Sequence, residues 1–426
     1  MTASEAASLR GRMQWYATAA AGPMSSAAVQ FLLSLILLAR LPVAEFGRVS
    51  FLFIVSQFSV GIWSALFNSP SLVLSARAAA EKSGEGSAAR ELRGVRSASF
   101  FALGPTAFLF FGIAIATGLP AAAAGLFGVY GTLVLFRQSA RIRAAAAGEY
   151  RRALFSDLAY SGLLLLGVAI LAWLPASGTL RALVLLVAAV LGGLVPFALV
   201  GERLTLPRWR DVRGYGAVWN RDSRWSIIGV ITTEATVNGH SYIVTVLLGP
   251  TAFAPIVATA LFTRPVTVAI NALAEFERAR AAHRIARKEY RAIATARRHL
   301  RLLLLAIWLG AIVVAAAVIM FAPSEYMVDK FGLPVVVTGA VLWLAVALAR
   351  LLHTAEGVIL MAAGRFQQLA RISMRTALVS VACVTALIFA LPPVWSIAGI
   401  VVGEGLFALL AWRAAGKLLH EQSGAR

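Results

Sequence analysis

Twelve long apolar stretches, each ended by charged or turn-forming residues, set the terms on which this chain can fold. They run over about 21–39, 49–74, 98–117, 119–136, 154–174, 180–200, 225–248, 251–273, 302–321, 333–352, 376–391 and 395–412. A helix needs about 20 apolar residues to cross the hydrocarbon core, and it satisfies its own backbone there. The expected fold class is therefore an all-α polytopic membrane protein with twelve transmembrane helices. Twelve such helices take up roughly 240 residues, which leaves about 14 for each tail or connection and excludes a large extramembrane domain. Only 14% of the residues are charged, against about 25% in soluble domains, which argues against a soluble enzyme. Short linkers such as Thr117 to Leu119 and Gly249-Pro250 alternate with long charged ones, so hairpins of helices are the building unit. The small residues of Ala17 to Ala28 precede the first apolar core, where a cleavage site would follow it, so the first segment is expected to remain as a helix. The single cysteine, Cys383, lies in an apolar run and can build neither a disulfide framework nor a thiolate metal site.

Basic residues orient the helices, because positively charged loops stay cytoplasmic. With the N-terminus inside, 34 of the 39 Lys and Arg residues fall in the inner set of connections and tails, and the outer set holds Arg40, Arg48, Arg181 and Lys330. Both termini are expected to be cytoplasmic, in the bacterial inner membrane. The net charge of +20 then becomes a cytoplasmic girdle that attracts anionic lipid headgroups, worth about 1 kcal/mol per well-placed residue. Nucleic acid is not needed to explain it.

The chain also resembles itself. Leu41 to Gly47 after the first stretch matches Gly249 to Pro255 after the seventh, and Ala146 to Tyr150 after the fourth matches Ala362 to Phe366 after the tenth, at offsets of 208 and 216. The expected domains are an N-terminal six-helix bundle over 1–208 and a C-terminal one over 209–426. A basic helix over 275–301 is expected to link them along the inner surface. Repeats of this kind favour a transporter whose site lies between the halves.

Polar side chains within a span are costly and by default functional. Glu234, Asn238, Ser241 and Thr245 recur at i, i+4, i+7 and i+11 in the seventh stretch and share one helical face. Ser26 and Gln30 occupy the positions of Glu234 and Asn238 in the first half. These residues are expected to line a cavity; the alternative is helix-to-helix hydrogen bonding. Arg264 lies halfway along the eighth stretch, with Thr267 and Asn271 beyond it. Its planar fork of donors suits phosphate oxygens, and the alternative is an ion pair with Glu234 or Glu404. Glu234, Glu404 and His240 are candidates for ion coupling. Arg137, Arg141 and Arg151 could draw a phosphate headgroup to a cytoplasmic mouth, or could simply anchor the chain.

Several chemistries lack their residues. There is no phosphate-binding G-x-x-x-x-G-K-[ST] loop, and Gly416-Lys417 is followed by Leu418. No His, Asp and Glu cluster has metal-ligand spacing, and no cofactor or enzymatic activity is expected. Residues 322–332 form the longest outer connection, too short for the external catalytic loop of a glycan polymerase.

Two stretches carry a family resemblance. Leu35 to Phe51, with Arg40, Pro42, Glu45, Phe46 and Gly47, resembles the opening of polysaccharide-export flippases of the Wzx type, in the multidrug/oligosaccharidyl-lipid/polysaccharide (MOP) superfamily. Arg137, Gln138, Arg141, Gly148, Tyr150, Arg151, Arg152, Ser156 and Asp157 resemble the segment before their fifth helix. The resemblance implies a MATE-like fold of two six-helix bundles around a central cavity. It implies that an oligosaccharide on polyprenyl pyrophosphate is flipped to the outer leaflet by alternating access. The product would feed O-antigen, capsule or exopolysaccharide assembly, with a polysaccharide polymerase and export machinery as further partners. Lipid II flippases of the superfamily carry fourteen spans, and this chain lacks the extra pair. A cation-coupled exporter of drugs or metabolites on the same fold is the competing expectation, in which Glu234 and Glu404 would bind the coupling ion and a cationic substrate.

Overall fold

A computed structural model describes residues 22, 24–80, 86–147, 149–173, 178–198, 207–264, 266–271, 273–274, 277, 281, 290–321, 324–363 and 365–423. Among these residues the chain is almost entirely helical, with no strand. Helices α1 (Met24–Arg40) and α2 (Val43–Trp63) form the first hairpin, and a π-helical turn at Ser64–Asn68 carries α2 into α3 (Ser69–Ala80). Then come α4 (Ser87–Ala116), α5 (Ala121–Ala146), α6 (Tyr150–Trp173) and α7 (Thr179–Ala198). A 3-10 turn (Trp209–Gly214), the short α8 (Tyr215–Val218) and a π-helical turn (Trp219–Ser223) lead into α9 (Arg224–Leu248). After it, α10 (Pro250–Ala260) passes through a 3-10 turn at Leu261–Thr263 into α11 over 266–271. The last helices are α12 (Tyr290–Phe321), α13 (Val328–Phe331), α14 (Leu333–Ala362), α15 (Phe366–Ala390) and α16 (Ser396–Ser423).

Every expected span therefore coincides with a helix or a helix pair. Among the described residues eight helices are long and apolar enough to cross a membrane by themselves, and α1 and the stretch Pro250–Thr263 are shorter apolar helices. This is an integral membrane protein with a twelve-helix layout. Several helices outrun their apolar windows at charged ends: α4 starts at Ser87 instead of residue 98, α14 continues to Ala362, and α15 starts at Phe366 instead of residue 376. Arg, Ala, Glu and Gln favour helix as well as Leu does, so hydropathy marks only the lipid-buried part of each.

The turns between hairpin partners share one chemistry. Gly118, Gly249 and Gly332 have φ of +84°, +84° and +81°, a left-handed conformation open to glycine at no steric cost. Each is followed within two residues by a proline, Pro120, Pro250 or Pro334, which pre-sets φ for the next helix.

The chain divides into two compact units, residues 1–41 with 52–230, and residues 42–51 with 231–426. The first contains α1, the rest of α2, and α3 to α8, with α6 packed on α7, α4 on α5, and α5 on α7. The connector 209–214 folds onto α4, where a Cβ on Gly94 would come within 2.9 Å of the Gly214 backbone. Arg221 pairs with Glu91 at 2.9 Å and with Asp222 at 2.9 Å, and these carboxylates hold its pKa above the usual arginine value. In the second unit α15 packs on α16, α14 on α16 and α12 on α14. Of the expected linker helix 275–301, residues from Tyr290 onward are the first turns of α12. Residues 275–276, 278–280 and 282–289 lie outside the described residues.

Candidate functional site

In the second unit the polar face of α9 separates into two clusters. Glu234 Oε1 accepts hydrogen bonds from Asn238 Nδ2 at 3.1 Å and from Tyr242 Oη at 2.9 Å. These three residues stand at i, i+4 and i+8, one face of a helix. Tyr242 is fixed edge-to-face against Phe51 at 5.7 Å, a favourable geometry for two rings. The other cluster centres on His240. Ser241 Oγ meets His240 Nε2 at 3.1 Å, His240 packs against Trp343 at 5.5 Å, and both His240 and Ser241 are buried. Trp343 is itself tied to the Ile256 carbonyl at 2.9 Å. The spacing placed Ser241 and Thr245 with Glu234; instead Ser241 is turned to His240, and Thr245 is buried with no partner for its hydroxyl among the described residues.

Arg264 directly follows the 3-10 turn that interrupts α10, and it is exposed. Its guanidinium has no hydrogen bond or ion pair with any described residue. Neither acid offered as its partner takes it. Glu234 is held by Asn238 and Tyr242, while Glu404 accepts from Arg350 Nε at 2.9 Å and pairs with His353 Nε2 at 2.8 Å. Asn271, two turns beyond Arg264, is also exposed, and Thr267 between them returns its hydroxyl to the Thr263 carbonyl at 3.2 Å. A fork of five donors is thus left available within a span.

Two buried carboxylates of this unit have partners that sequence spacing does not show, and one of the two, Glu356, is itself not marked by it. Glu404 was recognised, but Arg350 and His353 on α14 were not, because the apolar window stops at residue 352 in the middle of the motif. Glu356, one turn further along, is fully buried and pairs with Arg301, with Arg297 at 3.9 Å. Both arginines belong to α12, in the basic stretch read as a surface linker; here it docks on α14 through a buried acid.

The first unit gathers its polar residues around Asp157. Arg137 reaches Asp157 Oδ1 at 2.5 Å and Arg141 reaches Oδ2 at 2.7 Å, with the carboxylate 4% exposed. Arg137 also donates to Ser156 Oγ at 3.1 Å and lies 4.5 Å over the Tyr160 ring, a cation–π arrangement. Gln30 Nε2 donates to Tyr160 Oη at 3.1 Å, and Ser25 and Ser26 meet Ser161 at 3.1 and 3.2 Å. Arg137 and Arg141 are therefore engaged by an acid on α6. Arg151 alone of the three proposed mouth residues is exposed with no ion pair among the described residues. Asp157 was the missed centre; its signal was its place in the motif with Arg137 and Arg141. Among the described residues no group of three or more His, Cys, Asp or Glu side chains is placed to hold a metal.

Comparison with solved structures follows from this architecture. An inward-facing multidrug resistance MATE family transporter of the MOP superfamily superposes with a TM-score of 0.72 at 13% identity, covering 93% of this chain and 96% of that one. The fold is that of the MATE transporters. An outward-facing multidrug resistance MATE family transporter gives 0.57 at 14% identity, with 96% of each chain covered. A MOP superfamily transporter from Pyrococcus furiosus, described as having a binding pocket of reverse polarity that suggests a different function, gives 0.56 at 14% identity, again with 96% of each chain covered. No family model and no curated protein matches the sequence.

Proposed function

We propose that the protein is a membrane transporter that flips a lipid-linked oligosaccharide diphosphate from the inner to the outer leaflet by alternating access. The observation that carries this reading is Arg264, an exposed guanidinium within a span and without a counter-ion among the described residues. Such a charge is expensive in hydrocarbon. It is stabilised when it meets water and an anion, and its fork suits phosphate oxygens in pairs. A sugar diphosphate cannot cross hydrocarbon unaided, because its charges would lose their hydration. The stretches Leu35 to Phe51 and Arg137 to Asp157, which resemble those of polysaccharide-export flippases, support the same substrate class, and a fold held in common with MOP superfamily transporters supports alternating access.

The test is a deletion strain. Accumulation of polyprenyl-pyrophosphate oligosaccharide with loss of surface polysaccharide, restored by the intact gene, supports flipping; unchanged pools overturn it. Within that assay Arg264→Ala should abolish complementation at normal protein level, while Arg264→Lys, a point charge without the fork, should restore part of it. Full complementation by the alanine variant would remove Arg264 from the site.

One observation favours a second reading, a cation-coupled exporter. Glu234 is half-buried and bound by an amide and a phenol, with no basic side chain of the described residues on it. A carboxylate in that setting can take up a proton or a metal cation. If it couples transport, Glu234→Gln should leave transport insensitive to the proton or sodium gradient; retained gradient dependence would make Glu234 structural.

A further inference from the structure

Away from these polar clusters, α15 and α16 of the second unit enclose a groove of about 360 Å³. Arg371, Ile372 and Arg375 on α15 face Arg413, Ala414 and Lys417 on α16. The two helices contribute the same spacing, two cations one helical turn apart beside an apolar residue. The floor is buried, with Ile372 at 8% and Ala414 at 9% exposure, and the four basic side chains on the rim are exposed. Arg371, Arg375 and Arg413 have no ion pair with any described residue, and no acidic residue among the described ones lines the groove. Like charges gathered about one concavity repel one another, and no described residue lining the groove neutralises the three arginines.

We propose that this groove binds the phosphate headgroup of an anionic bilayer phospholipid, and favours one with two phosphates. Charge fixes the sign of the ligand. Arginine forks match phosphate oxygens in pairs, and cations from two helices suit two phosphates better than one. The surroundings fix the source. Met374 and Trp412, each next in sequence to a groove residue, are large apolar side chains left 48% and 54% exposed, and Leu378 and Leu409 nearby are exposed as well. These are membrane-facing positions, and a tryptophan at the rim is typical of the headgroup level. The apolar floor gives glycerol and acyl carbons a surface that a free phosphate would not use. Basic pockets between transmembrane helices take such headgroups. The groove lies at the end of α15 nearest Arg365 and near the last turns of α16, the end that the basic-residue distribution assigns to the cytoplasmic leaflet. The inference is independent of the transported substrate.

The experiment uses the full-length protein in neutral detergent and follows thermal unfolding with added diphosphatidylglycerol or phosphatidylcholine at equal molar ratio. Diphosphatidylglycerol should raise the midpoint of the wild type and phosphatidylcholine should not. That rise should fall by about half or more in Arg371→Gln/Arg375→Gln/Arg413→Gln and persist in Arg298→Gln, which removes an exposed charge elsewhere. An equal rise in the triple variant would overturn the proposal. A rise produced by inorganic pyrophosphate alone would overturn the lipid as its source. Should the triple variant not fold, native mass spectrometry of Arg413→Gln should find one retained diphosphatidylglycerol fewer, and an unchanged number would overturn the site.

Discussion

Asp157 holds two guanidiniums from α5 in a buried position, and its neighbours complete the arrangement: Ser156 Oγ both receives from Arg137 and donates to the Gly193 carbonyl at 2.5 Å. Removing one partner of a buried ion pair leaves uncompensated charge, which costs about 3–5 kcal/mol. Asp157→Asn, which keeps the shape and removes the charge, is therefore expected to lower stability by about that amount. A thermal midpoint in detergent unchanged from the wild type would make the triad dispensable. Arg264 is the contrasting residue, a charge that the fold leaves without a partner among the described residues. Its substitution should cost transport and spare stability, the reverse of Asp157. Sequence spacing singled out both Arg137 and Arg264, but it could not distinguish a clamped arginine from a free one. The difference lies in whether another helix supplies an acid at the same height.

At the scale of elements, small residues set how closely helices approach. In lipid the hydrophobic effect does not drive helices together, so van der Waals contact at small residues does much of the work. Gly399 and Gly403, four apart on α16, both lie against α15. A Cβ on Gly399 would stand 2.6 Å from the Val384 nitrogen, and one on Gly403 would stand 2.5 Å from Ser380 Cβ. Ser380 Oγ completes the contact by donating to the Gly399 carbonyl at 3.2 Å. Gly403→Leu should force α15 and α16 apart, lower the thermal midpoint by several degrees and reduce the amount of protein recovered from membranes; unchanged recovery and midpoint would show that the contact yields easily. The adjacent Glu404 explains why this matters for a site, because displacement of α16 would draw it from Arg350 and His353 on α14. The hairpin turns at Gly249-Pro250 and near Gly118 were legible in advance, since glycine followed by proline is a local signal. The ion pairs were not, since Arg301 and Glu356 are 55 residues apart and meet only because α12 packs on α14.

For the whole molecule, the distribution of basic residues makes an orientation prediction. With Cys383 replaced by serine, a cysteine introduced at Ser324 should react with an impermeant thiol reagent in intact cells, and one at Ala147 should react only after the membrane is opened. The opposite pattern would reverse the assignment of both termini. The twelve spans, their pairing in hairpins and the all-helical class were readable from the sequence alone, because the length of an apolar run and the position of a proline or a charge are properties of one segment in one solvent. The shared pattern of Glu234 and Asn238 was readable for the same reason, as helical periodicity needs no neighbour. Other assignments required the packed structure: Tyr242 as the second donor on Glu234, Asp157 as the acid that engages Arg137 and Arg141, and Arg350 with His353 as the partners of Glu404. So did the one that carries the functional reading, that neither Glu234 nor Glu404 takes Arg264. Burial and ion pairing depend on which helices meet and at what height, and segments far apart in the chain decide that only when they pack.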